Sequence, residues 1–155
     1  MTYYTTTTSP IGKLLLTSDG SALTRLHMAP FELPAEWRRD DGRFEEVVAQ
    51  LAAYFGGTRK AFDVPLDASG TPFQRSVWDA MRDIPYGETI SYGELAQRIG
   101  NPRAVRAVGR ASGANPIAVI VPCHRVIGAA GTLTGYAGGV ERKRFLLELE
   151  AGGRS

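Results

Sequence analysis

Near the C-terminal end of this 155-residue chain, Pro122-Cys123-His124-Arg125-Val126 follows an apolar run at residues 117–121. The chemistry of a cysteine is nucleophilic, and the thiolate is the reactive form. With an ordinary pKa of about 8.5, a thiol is only a few per cent ionised near neutrality, so it needs a base or a positive neighbour. His124 is adjacent in sequence. If residues 117–121 form a buried strand or extended segment that delivers Cys123 at its end, neighbouring side chains point to opposite sides. A turn or a bridging water must then connect imidazole and thiol. A carboxylate that orients the histidine would complete a relay. The helical stretch at residues 141–150 ends in two candidates, Glu148 and Glu150, beside a stripe of Phe145, Leu146 and Leu149. Glu150 can point inward from the last turn, whereas Glu148 reads as solvated; spacing alone leaves the choice open.

Cys123 is the only cysteine, which excludes an intramolecular disulfide and a cysteine-rich zinc site and fits a reducing, intracellular compartment. The net charge is only +2, but it is unevenly spread: residues 1–94 carry nine basic and thirteen acidic side chains, and residues 95–140 carry five arginines and no acid. Cys123 lies in the acid-free segment. A local positive field suits a polyanionic partner and favours a thiolate. An apolar fraction of 43% and a charged fraction of 22% are those of an ordinary soluble domain. No run of about 18 apolar residues predicts a membrane span. The opening residues, MTYYTTTTSPIGK, have neither the basic nor the apolar region of a secretory signal.

The elements that must position these residues follow from turn signals and periodicity. Residues 3–8, 13–18 and 23–28 are β-prone runs separated by Ser9-Pro10-Ile11-Gly12 and Asp19-Gly20-Ser21, which predicts an antiparallel meander. Residues 28–41 read as a loop. Phe44, Val47, Val48, Leu51, Tyr54 and Phe55 follow helical spacing up to Gly56-Gly57, and residues 62–66 read as a final strand or an extended exit. The pattern changes near Asp67-Ala68-Ser69-Gly70. The expected architecture is therefore α+β: a support domain at residues 1–68 with a small antiparallel sheet and a helix, then a mostly helical domain at residues 71–155.

In the second part, Thr71-Pro72 has the form of an N-cap followed by Pro at the first helical position, with Phe73, Val77, Trp78 and Met81 on one face and Trp78 in the core. Ser91 and Glu94 have capping-box spacing and open a short helix closing near Gly100. Asn101-Pro102 is expected to start the next helix. Helix, glycine-containing turn and helix give helix-turn-helix spacing. On the second helix Arg103, Arg106 and Arg110, at i, i+3 and i+7, would share one face, and Ala104, Val108 and Ala111 an apolar one. Aligned arginines among small residues, with no helical acid to answer them, suit close approach to phosphates.

The motifs taken in order are more specific than any one of them. Ile84-Pro85-Tyr86-Gly87-Glu88-Thr89, Ser91-Tyr92-Gly93-Glu94-Leu95-Ala96, residues 103–109, residues 113–116, residues 122–126, Tyr136-Ala137-Gly138-Gly139 and residues 142–147 follow one another over about 80 residues. This stretch resembles the catalytic domain of the O6-alkylguanine-DNA alkyltransferases, also called methylated-DNA–protein-cysteine methyltransferases. The Ser-Pro-Ile-Gly turn at residues 9–12 is similar to the N-terminal domain of the same family. The resemblance implies a winged-helix-like second domain and a DNA-repair function: a single, stoichiometric and irreversible transfer of the alkyl group from O6-alkylguanine, and from O4-alkylthymine, onto Cys123.

By resemblance, His124 is the base acting through water, Glu150 the carboxylate that polarises it, and Asn115 the brace of the turn leading to the cysteine. Tyr92 is the phenol that gives a hydrogen bond or a proton to the departing guanine, which leaves poorly as an anion. Arg106 is the finger that replaces the extruded base as the protein binds duplex DNA through the minor groove and flips the target nucleotide. Arg103, Arg110, Ala104, Ala107 and Ser91 complete the DNA-binding set. Tyr92, Cys123, Val126, Tyr136, Ala137 and Gly138 line the substrate pocket. No cofactor is implied. The expected state is a cytoplasmic monomer, clustering on DNA and nucleoid-associated when bound.

Two departures stand out. Ala137 occupies a place where some relatives carry a hydroxyl that contacts the substrate oxygen. Some relatives also hold zinc in the N-terminal domain through Cys and His; here His27 stands alone, so no metal is expected. A cysteine hydrolase would use the same Cys123, His124 and Glu150 but would turn over beyond one equivalent. A non-catalytic binder of damaged DNA would not need Cys123.

Overall fold

Short-range hydrogen bonds cut the first third of the chain into strands. The computed structural model describes residues 1–133, 136 and 138–152, and the chain divides into two compact units, Met1–Ser69 and Gly70–Ser155. In the first unit β1 (Tyr3–Thr7) and β2 (Leu14–Ser18) pair antiparallel, with Tyr3 opposite Ser18. The turn between them is closed by Gly12 N–H donating to Ser9 O (3.0 Å), and Ile11 N–H donates to the Ser9 hydroxyl (3.2 Å). Gly12 sits at φ +103°, where a side chain would be strained. The turn to β3 (Leu23–Met28) is built on the Asp19 carboxylate, which accepts from Ser21 N–H and Ala22 N–H at 2.8 and 2.9 Å. The expected meander is present.

The stretch at residues 28–41 is not wholly loop. Arg38–Arg39 forms a short β4 parallel to β1, giving the sheet order β3-β2-β1-β4. Two charged residues carry no alternation, so this strand has no signature in the sequence. A 3-10 turn at Asp41–Phe44 leads into α1 (Glu45–Phe55), whose Val47, Leu51, Tyr54 and Phe55 are buried. β2, central in the sheet, is buried at each of its first four residues. Residues 62–66 are an extended exit: a single bridge joins Leu66 to Leu23, and the buried Gln50 amide pins Asp63 through its N–H (2.9 Å) and its carbonyl (3.1 Å).

The second unit is helical. α2 (Pro72–Arg82) starts at Thr71, whose hydroxyl accepts from Gln74 N–H while the Gln74 side chain accepts from Thr71 N–H, a full capping box. Val77, Trp78 and Met81 are buried, and Trp78 Nε1 donates to Ala111 O (2.8 Å), tying α2 to the second helix after it. β5 (Ile90–Ser91) pairs parallel with β6 (Val126–Ile127). α3 (Tyr92–Arg98) is capped by the Ser91 hydroxyl, which accepts from Glu94 N–H at 3.0 Å. The Glu94 carboxylate takes Arg98 at 2.6 Å, so the reciprocal arm expected of a capping box is used along the helix instead.

The next helix departs from expectation. α4 is Val105–Gly113 with Ala104 as its N-cap, three residues later than an Asn101 cap would place it. Ala104 N–H closes a turn on Asn101 O (3.0 Å) before the helix begins. Gly100, at φ +79°, lets the chain reverse after α3. α5 (Val140–Glu150) ends the fold, with Lys143, Leu146, Leu149 and Glu150 buried. The fold is α+β, as the sequence predicts.

Candidate active site and nucleic-acid interface

Residues 117–121, expected to be extended, form a tight buried turn. Val121 N–H donates to Ile117 O (3.0 Å) and Ile120 N–H to Ala118 O (2.8 Å), with Val119 at φ +71°. A β-branched residue there is strained, and Asn115 braces it. The Asn115 Oδ1 accepts from Ile117 N–H (3.0 Å) and Nδ2 donates to Val121 O (2.8 Å), replacing the partners a strand would have supplied. Pro122 then starts a 3-10 turn at Cys123–Arg125, so Cys123 and His124 lie on a turn and do not alternate as in a strand.

All three residues of that turn are buried, His124 completely. His124 Nε2 lies 2.6 Å from Glu150 Oε2. Arg125 donates from Nε to Glu150 Oε1 (2.8 Å) and from Nη2 to Oε2 (3.0 Å), and its Nη1 donates to Ile84 O (2.7 Å). Gly87 N–H adds a long contact to Glu150 Oε1 (3.3 Å). Gly87 needs its φ of +84°, and a Cβ there would stand 3.3 Å from Glu150 O. Glu150 thus joins three segments, while Glu148 is exposed. The remaining ring nitrogen, His124 Nδ1, is buried and has no partner among the described residues.

Burial also decides the proton on Cys123. It pushes the thiol up, and a hydrogen bond from the Asn115 side chain and the Lys143 charge pull the other way without overcoming it. The expected thiolate is therefore not the resting form: the charge that acts on the thiol is that of Lys143 rather than of the arginine-rich segment, and desolvation outweighs it. Burial likewise lowers His124, against the pull of Glu150, so the imidazole is neutral and able to take a proton.

Lys143 is the residue that sequence reasoning missed. It is fully buried, its Nζ donates to Val126 O (2.6 Å), and it lies 5.8 Å from the centre of the Tyr92 ring. Burial lowers its pKa and Cys123 opposes that. The available signal was spacing: Lys143, Leu146 and Glu150 lie at i, i+3 and i+7 on one face of α5. Arg125 was visible only as part of a motif, with no role attached.

Of the pocket residues, Tyr92 opens α3 half-buried, and burial followed by Cys123 raises its phenol. Val126 is fully buried in β6, the Tyr136 hydroxyl is buried without a partner among the described residues, and Gly138 is half-buried. Ala137 lies outside the described residues. On the interface, Arg106 and Arg110 are exposed on α4, one turn apart. Arg103 is exposed but precedes the helix, so the three arginines do not share one helical face. Ala104 and Ala107 are half-buried, and Val108 and Ala111 face the core. Ser91, half-buried, spends its hydroxyl on the α3 cap.

This geometry, a buried thiol beside a neutral histidine held by a carboxylate and followed through the chain from an arginine-bearing helix, can be compared with known proteins. Residues 72–152 match the family described as the DNA-binding domain of 6-O-methylguanine DNA methyltransferase, and residues 2–68 match its ribonuclease-like domain. The chain belongs to this family. In keeping with that membership, the methylated-DNA–protein-cysteine methyltransferase of Mycobacterium tuberculosis is 58% identical over 153 residues, covering 97% of this chain and 93% of the relative. That of Methanosarcina acetivorans is 53% identical over 152 residues, covering 96% and 97%. A crystal structure of the M. tuberculosis OGT in complex with DNA superposes with a TM-score of 0.92 at 58% identity, covering 97% of this chain and 94% of that one.

The protonation pattern of this methyltransferase sets its stability against pH. Burial lowers His124 and His27 below the ordinary 6.5. The unfolded chain then binds more protons as pH falls through that value, and stability is lost on acidification. Burial raises Cys123 above the ordinary 9.0, and Tyr92 and Tyr136 above 10.0. The folded chain keeps those protons longer, so their contribution is present below the unfolded values and lost as pH rises toward the folded ones. The melting temperature is expected to be level between about pH 7 and 8.5 and to fall on both sides. Burial also lowers Lys143 below the ordinary 10.5, which works in the opposite sense on the alkaline side, so the thiol is read directly: thiolate absorbance that appears below pH 9 in the folded protein would contradict the buried thiol.

Proposed function

We propose that Cys123 is the residue that accepts the alkyl group. The protein repairs O6-alkylguanine in DNA by direct transfer of the alkyl group to a protein cysteine, and DNA is its partner. The observation that carries the residue assignment is that the chain has one cysteine, and it sits beside the His124–Glu150 pair (2.6 Å). The sulfur attacks the alkyl carbon, the carbon–O6 bond breaks, and guanine leaves. Because the resting thiol is protonated, a base is needed. His124 takes the proton through a water reaching the buried Nδ1, while Glu150 holds the other nitrogen. Tyr92, whose raised pKa keeps it protonated, donates to the departing guanine ring. The product thioether has no good leaving group, so each molecule acts once.

DNA enters along α4. Arg106 is the finger that fills the space of a flipped nucleotide from the minor groove, and Arg103 and Arg110 contact phosphates. The small side chains of Ala104 and Ala107 allow close approach. Tyr136 and Gly138 close the pocket over the base. Residues 71–155 thus carry the chemistry and DNA binding, with residues 1–68 in support, and the protein works as a cytoplasmic monomer. No helix among the described residues is long and apolar enough to cross a membrane.

The test is peptide mass spectrometry after mixing the protein with duplex DNA containing one O6-methylguanine. One methyl on the Cys123 peptide, restored guanine and no second turnover is the expected result. Continued turnover would instead indicate hydrolysis, and a methyl elsewhere would remove Cys123 from the role. For the interface, Arg110→Ala is expected to lower the slope of log affinity against log salt by about 1, as for one lost phosphate contact. Arg106→Ala is expected to slow transfer from duplex DNA while leaving Cys123 reactivity toward iodoacetamide unchanged; a parallel loss of both would place Arg106 in the fold rather than at the DNA.

A further inference from the structure

Glu150 is bound by more positive charge than a link to His124 requires. Its carboxylate takes the two-point guanidinium of Arg125 at 2.8 and 3.0 Å as well as His124 Nε2 at 2.6 Å, and all three side chains are buried. Arg125 is itself fixed by Nη1 to Ile84 O (2.7 Å) and lies 5.7 Å from the centre of the Tyr86 ring. A guanidinium is always charged, so the Arg125–Glu150 pair is already neutral without a proton on His124. The charged groups that act on the ring are Glu150 and Lys143 from α5 and Arg125 from its own turn; Cys123 adjoins it in the turn. An imidazolium would add a second cation close to the fully buried Lys143. Without Arg125, the counter-charge that this turn could offer Glu150 would be a protonated His124, and a protonated histidine is no base.

We propose that Arg125 is a positioning residue of the transfer reaction: its two-point ion pair with Glu150 keeps His124 an uncharged imidazole, with Nε2–H toward Glu150 and the Nδ1 lone pair bare for the proton of Cys123. This rests on the reading of His124 as the base. The direction of the His124 shift, downward through burial with Arg125 and Lys143 adding to it, agrees.

The experiment is nitrogen NMR of histidine-labelled protein across pH, paired with the pH profile of methyl transfer. The chain has only two histidines, and His27→Gln assigns them. In the unaltered protein His124 is expected as the neutral Nε2–H form at pH 7, resisting protonation below its ordinary 6.5. In Arg125→Met its titration moves upward, and transfer below the new pKa falls about tenfold per pH unit and recovers in alkali. Arg125→Lys, which keeps the charge, restores most of the neutral form. An imidazolium in the unaltered protein at pH 7 overturns the proposal, with no variant needed. So does an Arg125→Lys or Arg125→Met protein whose rate drops equally at every pH while His124 titrates as before. If His124 shifts as expected but the rate ignores its titration, the role of Arg125 stands and the reading of His124 as base fails.

Discussion

With Cys123 replaced by serine, methyl transfer is expected to vanish while DNA binding persists. Serine is nearly isosteric, so the turn braced by Asn115 and the link from His124 to Glu150 remain. A hydroxyl, however, is far less acidic than a thiol, and its oxygen is the weaker nucleophile toward an alkyl carbon. The same buried setting that already pushes the thiol up makes an alkoxide still harder to form. Loss of a nucleophile elsewhere sets the scale at on the order of a millionfold, which single-turnover assays would record as no restored guanine. Gel-shift affinity for duplex DNA should stay within a few-fold, because the exposed Arg106 and Arg110 are untouched. A Cys123→Ser protein that still restores guanine at a measurable rate would end the assignment of Cys123 as acceptor.

Glu150→Ala is expected to destabilise the protein more than any other single removal of charge. The carboxylate is buried against the Arg125 guanidinium, the His124 ring and Gly87 N–H. Among the described residues, deleting it leaves a buried guanidinium with Ile84 O and the face of the Tyr86 ring in place of a carboxylate. Breaking a buried ion pair from one side costs about 3–5 kcal/mol, much of it the desolvation of the charge left behind. Glu148→Ala, two residues earlier and exposed, is the control and is expected to change stability by no more than about 0.5 kcal/mol. Denaturant melts of the two variants check this; equal midpoints would mean that Glu150 is solvated in solution. Glu150→Gln should fall between them, since an amide still accepts from Arg125 but carries no charge.

The two predictions separate what the relay does from what holds it. On the proposed reading Cys123 supplies the nucleophile, whereas Glu150 joins residues 87, 124 and 125 to the end of α5. A substitution at Glu150 therefore confounds chemistry with folding. The proton on His124, read directly by NMR, is the cleaner probe of the relay.

Local features were legible from residues close together in the chain. Turn chemistry at Ser9–Gly12 and Asp19–Ser21, helical periodicity through Phe55, and the Thr71-Pro72 start each depend on residues a few positions apart, and each formed as expected. The family, too, was legible, because its motifs are short and ordered along the chain. Tertiary structure decided the rest. Asn101-Pro102 has the letters of a helix start, but the turn closed on Asn101 O delays α4 to Val105 and takes Arg103 off the arginine face. Residues 117–121 have the composition of a strand, yet the distant backbone groups of a ladder are replaced by one side chain, Asn115. Lys143 is charged in sequence and buried in the fold because Val126 O receives its ammonium. The state of Cys123 is the sharpest case: charge can be counted along a chain, but desolvation arises only when other segments close around the thiol, and here desolvation is the larger effect.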